Sequence, residues 1–146
     1  MFRGLKEILF GRAVQRDEEW FHERLGVFRF DKDLDGWRSQ ITAEGAPLGF
    51  LICGNQEPDP VLVQHAIDIV EGEAAFRARV AAFLRDEAIR QPLWAAEISE
   101  LEIQDVNLFW PERPDDGMIY FTGPDEYRVW RCDYVNRVPQ DLGFDS

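Results

Sequence analysis

Residues 59–90 read DPVLVQHAIDIVEGEAAFRARVAAFLRDEAIR, and this stretch decides the class of fold. Asp59 is a suitable N-cap, and Pro60 suits the first helical position. Apolar side chains then recur at the spacing of one helix face on both sides of Gly72. The first stripe consists of Leu62, His65, Ala66, Ile69 and Val70, and the second of Phe76, Val80, Phe83, Leu84 and Ala88. The stretch therefore predicts two consecutive helices, the second of which Pro92 stops.

Segments typical of strands lie on both sides of this helical pair. The third is apolar on both faces, which favours a central place in a sheet, and the fourth slips by one residue near Asp105, which indicates a β-bulge. Because strands and helices are kept apart, we predict an α+β fold. Its mostly antiparallel sheet would come from two three-stranded meanders (β-β-β-α-α-β-β-β), with the helical pair packed on one face. The predicted strands are Leu25–Phe30, Trp37–Thr42, Leu48–Gly54, Ile98–Trp110, Met118–Thr122 and Tyr127–Val135.

The chain divides into two parts of opposite charge. Residues 1–17 form a basic segment, whose apolar side chains at helical spacing are Phe2, Leu5, Ile8 and Leu9. We predict a short amphipathic N-terminal helix there and a single α+β domain over residues 18–146. Residues 12–19 are interpreted as a polar connector, and Pro139–Ser146 as a tail.

The composition excludes several classes of function. A formal net charge of −12 argues against broad binding to DNA or RNA, which requires clustered basic side chains, and is compatible with a basic protein partner. No apolar run is long enough for stable membrane insertion, so we expect a cytoplasmic protein. The two cysteines, Cys53 and Cys132, do not form a Cys-x-x-Cys motif, and nothing in the sequence predicts a cofactor.

The segment Asp31-Lys32-Asp33-Leu34-Asp35-Gly36 allows two interpretations. Three carboxylates at alternate positions followed by glycine match the first half of a calcium-binding loop, in which Asp31, Asp33 and Asp35 would supply oxygen ligands. However, the twelfth position of that loop is Thr42 rather than a bidentate glutamate. The alternative is a β-hairpin turn that is rich in turn-forming residues.

No catalytic motif stands out. His22 and His65 are the only histidines, and His65 lies on the apolar stripe of a predicted helix, which is typical of a hydrogen-bonded core histidine. There is no Gly-x-Ser-x-Gly elbow and no glycine-rich phosphate loop. Neighbouring carboxylates are frequent, as chance dictates in a chain with 28 acidic residues. An enzyme of an unrecognised class remains an alternative.

Aromatic side chains cluster on the C-terminal strands, beside acidic residues. They are either part of the core or an exposed platform, and exposed aromatic side chains are enriched in protein interfaces. Acidic neighbours favour a basic protein partner over nucleic acid. The candidate binding residues are Trp110, Asp115, Asp116, Tyr127 and Trp130.

The segment Phe28-Arg29-Phe30-Asp31 is followed by Trp37, the helical pair and the C-terminal strands. This order resembles that of a family of small bacterial proteins of unknown function, whose layout is similar to that of immunity proteins encoded beside polymorphic toxins. The resemblance implies a non-enzymatic binding role and supplies no catalytic residue. We therefore expect an acidic protein-binding domain, immunity-like or regulatory, with a calcium-binding regulatory module as an alternative.

Overall fold

An eight-stranded sheet organises the chain in a computed structural model, which describes residues 18–43 and 45–145. The predicted N-terminal helix lies outside these residues. The strands are β1 Glu19–His22, β2 Gly26–Asp31, β3 Gly36–Ala43, β4 Ala46–Ile52, β5 Glu102–Leu108, β6 Gly117–Thr122, β7 Val129–Val135 and β8 Val138–Asp145. The helices are α1 Pro60–Glu71, α2 Glu73–Arg90, a 3₁₀ turn Pro92–Trp94 and α3 Ala95–Ile98. None of these described helices is long and apolar enough to cross a membrane.

The strands lie side by side in chain order, from β1 at one edge to β8 at the other. Each strand is antiparallel to its neighbours, except that β4 and β5 are parallel. This exception follows from the connection between them, because parallel strands require a long crossover and α1 and α2 supply it. The α+β class and the mostly antiparallel sheet are thereby confirmed.

The predicted helical pair is confirmed at both boundaries. The Asp59 side chain accepts hydrogen bonds from the backbone N–H groups of Val61 and Leu62, and Gly72 separates the two helices. Beyond α2 the prediction was wrong, because the chain forms the 3₁₀ turn and α3 before it becomes extended. The fourth predicted strand therefore begins at Glu102 rather than Ile98. Pro92, interpreted as a stop signal, occupies the first turn of the next helical segment.

Each half of the sheet has four strands, not the predicted three. β1 is a short edge strand whose Trp20 ring packs 5.6 Å from that of Phe28. β8 runs through the stretch that was interpreted as a tail. Its alternation is disrupted by Pro139 and by a register shift opposite β7, near Asp141 with a φ of +59°. These interruptions hid the strand from a search for period two.

The core lies between the helices and the sheet face that they contact. It includes side chains of β2 to β7 and of the inner helix stripes, all at most 6% exposed: Phe28, Trp37, Phe50, Val106, Ile119, Cys132, Leu62, Val63, Ala66, Phe76 and Val80. Burial of each large apolar side chain contributes about 1.5–3 kcal/mol. The predicted β-bulge is confirmed, since the pairing of β5 with β6 shifts between Ile103 and Asp105.

Four turns meet at one end of the sheet. Strands β2, β4, β5 and β7 point the same way. One antiparallel strand lies between β2 and β4 and another between β5 and β7, and β4 and β5 are parallel. The chain therefore leaves all four strands at the same end, which we call the loop end. It consists of residues 32–35, 53–59, 109–116 and 136–137, and α1 begins there.

Candidate functional site

A cleft of about 440 Å³ lies at the loop end, between the first turns of α1 and the two turns that follow β5 and β7. Its volume falls in the range that is usual for small-ligand pockets. We call it the His65 cleft. Its lining residues are Pro60, Val61, Gln64, His65, Asp68, Pro114, Asp115 and Arg137.

His65 is the most unusual residue of this cleft. Its side chain is 2% exposed, and neither ring nitrogen has a hydrogen-bond partner among the described residues. Nδ1 lies 3.4 Å from Oδ1 of Asp115, and the ring meets that of Tyr134 edge-on at 5.9 Å. The sequence predicted that His65 is a hydrogen-bonded core histidine. Its burial is confirmed, but the predicted hydrogen bond is absent among the described residues. An unsatisfied buried polar group costs about 1–3 kcal/mol, which makes His65 a candidate for hydrogen bonding to a ligand.

Arg137 connects the carboxylates of the cleft. Its Nε donates to Oδ1 of Asp115 at 2.7 Å, and its Nη2 donates to Oδ2 of Asp68 at 3.3 Å. The hydrogen bond from Arg137 holds the pKa of Asp115 below its usual range. Burial, followed by the nearby Arg137 charge, lowers the pKa of His65. At neutral pH the cleft therefore contains two carboxylates, one guanidinium and a neutral imidazole, and its net charge is negative.

Stability will depend on pH through His65. The pKa of this group is about 6.5 in the unfolded chain and lower in the folded protein. Below pH 6.5 the unfolded state therefore binds more protons, and the free energy of unfolding falls as the pH is lowered towards 5. Chemical denaturation at several pH values will measure this decline, and His65→Phe is expected to flatten it. If the free energy of unfolding falls equally with pH in the wild type and in His65→Phe, the attribution of this decline to His65 is wrong.

A group of exposed carboxylates lies at the same end of the sheet as the His65 cleft. Asp33, Asp35, Glu57 and Glu112 lie on three neighbouring turns of the loop end, and we call them the acidic rim. Within the described chain, none of the four has a basic side chain within 4.0 Å. Cys53 lies among them: burial raises the pKa of its thiol, and the charges of Asp59, Glu112 and Asp35 raise it further. Asp35 and Glu112, which belong to two different turns, therefore lie close enough to Cys53 to act on the same thiol.

The segment that resembles a calcium loop is a hairpin turn. Oδ1 of Asp31 accepts the backbone N–H groups of Asp33 and Leu34, and Oδ2 lies 3.6 Å from Nη1 of Arg38. The segment connects antiparallel strands β2 and β3, which confirms the hairpin interpretation. Across residues 18–43 and 45–145, no three His, Cys, Asp or Glu side chains are grouped so that they could hold a metal ion.

The structure separates the five predicted binding residues. Trp110, Asp115 and Asp116 lie at the loop end, where the Arg113 guanidinium stacks 4.5 Å above the Trp110 ring. Asp116 accepts the backbone N–H of Asn136 at 2.9 Å, which fixes the turn after β7. Tyr127 is 78% exposed but lies in the turn between β6 and β7, at the opposite end of the sheet.

Trp130, a candidate binding residue, belongs to the core. Its side chain is 0% exposed, and its Nε1 donates to Oε2 of Glu97 at 2.6 Å. Arg128 also bonds Glu97, and these hydrogen bonds lower the pKa of that carboxyl group. A side chain held in this way presents no surface to a partner.

Sequence reasoning missed the roles of Arg137 and Asp68. Arg137 and Asp68 are 69 positions apart, and only the fold brings them together. The one local signal was the pair Asn136 and Arg137, which forms a two-residue hairpin turn with φ values of +52° and +64°. Asn at the first of these positions is typical of such turns.

The carboxylates, guanidinium and imidazole of the cleft can bind a polar or charged group. A histidine beside a carboxylate is the arrangement that orients a general base. However, no serine, threonine, cysteine or lysine occurs among the described residues that line the cleft. Comparison of the chain with protein-family models, curated proteins and solved structures finds no match.

Proposed function

We propose that this protein is a non-enzymatic binding protein, immunity-like or regulatory, that recognises a basic segment of a protein partner through its loop end. The acidic rim is the observation that carries the proposal. Four exposed carboxylates on neighbouring turns repel one another, and a cationic partner removes that repulsion. Charge complementarity of this kind speeds encounter and selects against acidic partners.

The ion pairs of the loop end sharpen this argument. The other carboxylates of the loop end are engaged: Asp59 caps α1, Asp115 is bonded by Arg137, and Asp116 lies 3.9 Å from Arg113. Among the described residues, the acidic rim is therefore what remains of the loop-end carboxylates after internal pairing. Because these internal pairs hold the turns in place, the rim carboxylates are presented on an ordered surface.

Apolar contacts at the same end suit a protein partner. Leu34 is 46% exposed at the tip of the turn between β2 and β3, beside two rim residues. Trp110 is half-buried, and Arg113 covers one face of its ring. Interfaces typically combine such an apolar or aromatic anchor with a polar rim. Both cysteines are free thiols, which fits a reducing cytoplasm.

Neutralising the acidic rim is expected to weaken binding of a basic peptide at least tenfold. The rim variant carries Asp33→Asn, Asp35→Asn, Glu57→Gln and Glu112→Gln, and the probe is fluorescently labelled octalysine, whose affinity is measured by anisotropy at fixed ionic strength. The loss follows from removing four negative charges from one end of the sheet. Binding of the wild-type protein should weaken steeply as salt is added.

A matched control separates a site from bulk charge. The control variant carries four equivalent changes at exposed carboxylates outside the loop end that have no basic partner among the described residues: Asp86→Asn, Glu100→Gln, Glu126→Gln and Asp141→Asn. Both variants have the same net charge. The affinity of the control variant for octalysine is expected to fall less than threefold. Equal losses of affinity in the two variants would refute a localised binding surface.

A further inference from the structure

The walls of the His65 cleft suit a long amphipathic side chain. Pro60, Val61 and Pro114 supply apolar surface near its opening, and His65 lies in its wall. The aliphatic part of a lysine or arginine side chain packs on such surface while its charged end remains among polar groups. The cleft volume of about 440 Å³ exceeds that of one such side chain.

The charged end of such a side chain meets a matching set of groups. Oδ2 of Asp115 has no partner among the described residues, since Arg137 and His65 both approach Oδ1. The buried imidazole of His65, unpaired at both nitrogens, accepts a hydrogen bond at one of them when neutral. An ammonium or guanidinium group supplies donors to both and offsets the net negative charge. An anion would find no unpaired cation, because Arg137 already bonds Asp115 and Asp68.

We infer that the His65 cleft receives one lysine or arginine side chain of the basic segment, anchored by Asp115 and His65. This inference rests on the proposed function and specifies where one side chain of the basic segment binds. The acidic rim attracts the segment as a whole, and the cleft fixes its register. A basic partner with a single lysine or arginine at the anchoring position is therefore distinguished from a merely cationic chain.

Acidification is expected to release the anchor. Asp115, Asp68 and Arg137 are the charged groups that face His65, and the Tyr134 ring packs against it. Protonated His65 would place a second positive charge beside Arg137 and remove the acceptor nitrogen. Affinity for octalysine should therefore fall as the pH is lowered below the ordinary range of histidine titration, and His65→Phe should remove most of this fall.

A steric block tests the anchor without changing charge. Val61 is 50% exposed at the mouth of the cleft, so Val61→Trp fills the cleft without disturbing the core. Val129→Trp is the matched control, since Val129 is 46% exposed on β7, away from the cleft. Octalysine is expected to bind Val61→Trp at least fivefold more weakly, and Val129→Trp within twofold of wild type.

The outcomes separate this inference from the proposed function. If Val61→Trp binds octalysine as wild type does while the rim variant is weakened, the anchor is wrong and the acidic surface stands. If the rim variant binds octalysine as tightly as the wild type does, the proposed function itself fails.

A second measurement uses Nα-acetyl-lysine methylamide, which should shift the NMR signals of His65 and Asp115. The uncharged norleucine analogue should leave these signals in place. Equal shifts with the two compounds would show that the cleft does not recognise the ammonium charge.

Discussion

Replacing Trp130 with alanine is expected to lower the free energy of unfolding by about 4 kcal/mol. The side chain is fully buried, and its ring lies 4.8 Å from that of Phe144 and 6.2 Å from that of Trp94. Truncation leaves a cavity and deprives Glu97 of the hydrogen bond from the indole N–H. The loss would be a large fraction of the stability of a typical domain. Guanidinium denaturation followed by far-UV circular dichroism will measure it.

Tyr127→Ala is the control for this prediction. Tyr127 is an aromatic residue close to Trp130 in sequence, but it is 78% exposed. Its removal should change the free energy of unfolding by less than about 0.5 kcal/mol, as for most surface substitutions. A cost below about 1 kcal/mol for Trp130→Ala, or similar costs for both variants, would contradict the placement of Trp130 in the core.

Replacing Gly54 with alanine is expected to cost about 3 kcal/mol. A β-carbon on Gly54 would lie 2.0 Å from the carbonyl oxygen of Glu57 and 2.8 Å from the backbone nitrogen of Asp59. Both are backbone atoms, so the turn itself must move. Its movement also disturbs the Asp59 cap of α1 and the hydrogen bond from Trp37 Nε1 to the Gly54 carbonyl at 3.2 Å.

The same variant is expected to bind octalysine more weakly, because Glu57 of the acidic rim moves with the turn. Gly143→Ala is the matched control, since a β-carbon there meets nothing within 4 Å. It should leave both the midpoint of thermal unfolding and the affinity for octalysine near their wild-type values. Equal midpoints for Gly54→Ala and wild type would show that the turn tolerates a shift without cost.

The sequence predicted those elements whose signals are local. The cap at Asp59, the helix break at Gly72 and the bulge near Asp105 each depend on a few adjacent residues, and all three are present. The edge strands β1 and β8 were missed because one is only four residues long and the other is interrupted by Pro139 and a bulge. Their pairing partners, rather than their own pattern, make them strands.

The site was less predictable, because long-range contacts create it. Asp115 was identified from its acidic and aromatic surroundings, but its connection to His65 and Arg137 depends on the meeting of α1 with two distant turns. Trp110 and Trp130 look equivalent in the sequence. They differ because Trp130 lies within β7 and is fully buried, whereas Trp110 follows the end of β5.

Mapping the binding surface by NMR distinguishes a localised site at the loop end from diffuse attraction by net charge. Amide signals of the ¹⁵N-labelled protein would be followed while octalysine is added at constant ionic strength. The shifts are expected to concentrate in residues 32–35, 53–59, 109–116 and 136–137. Shifts spread evenly over both ends of the sheet, or centred on the turn at residues 123–128, would contradict a localised site at the loop end.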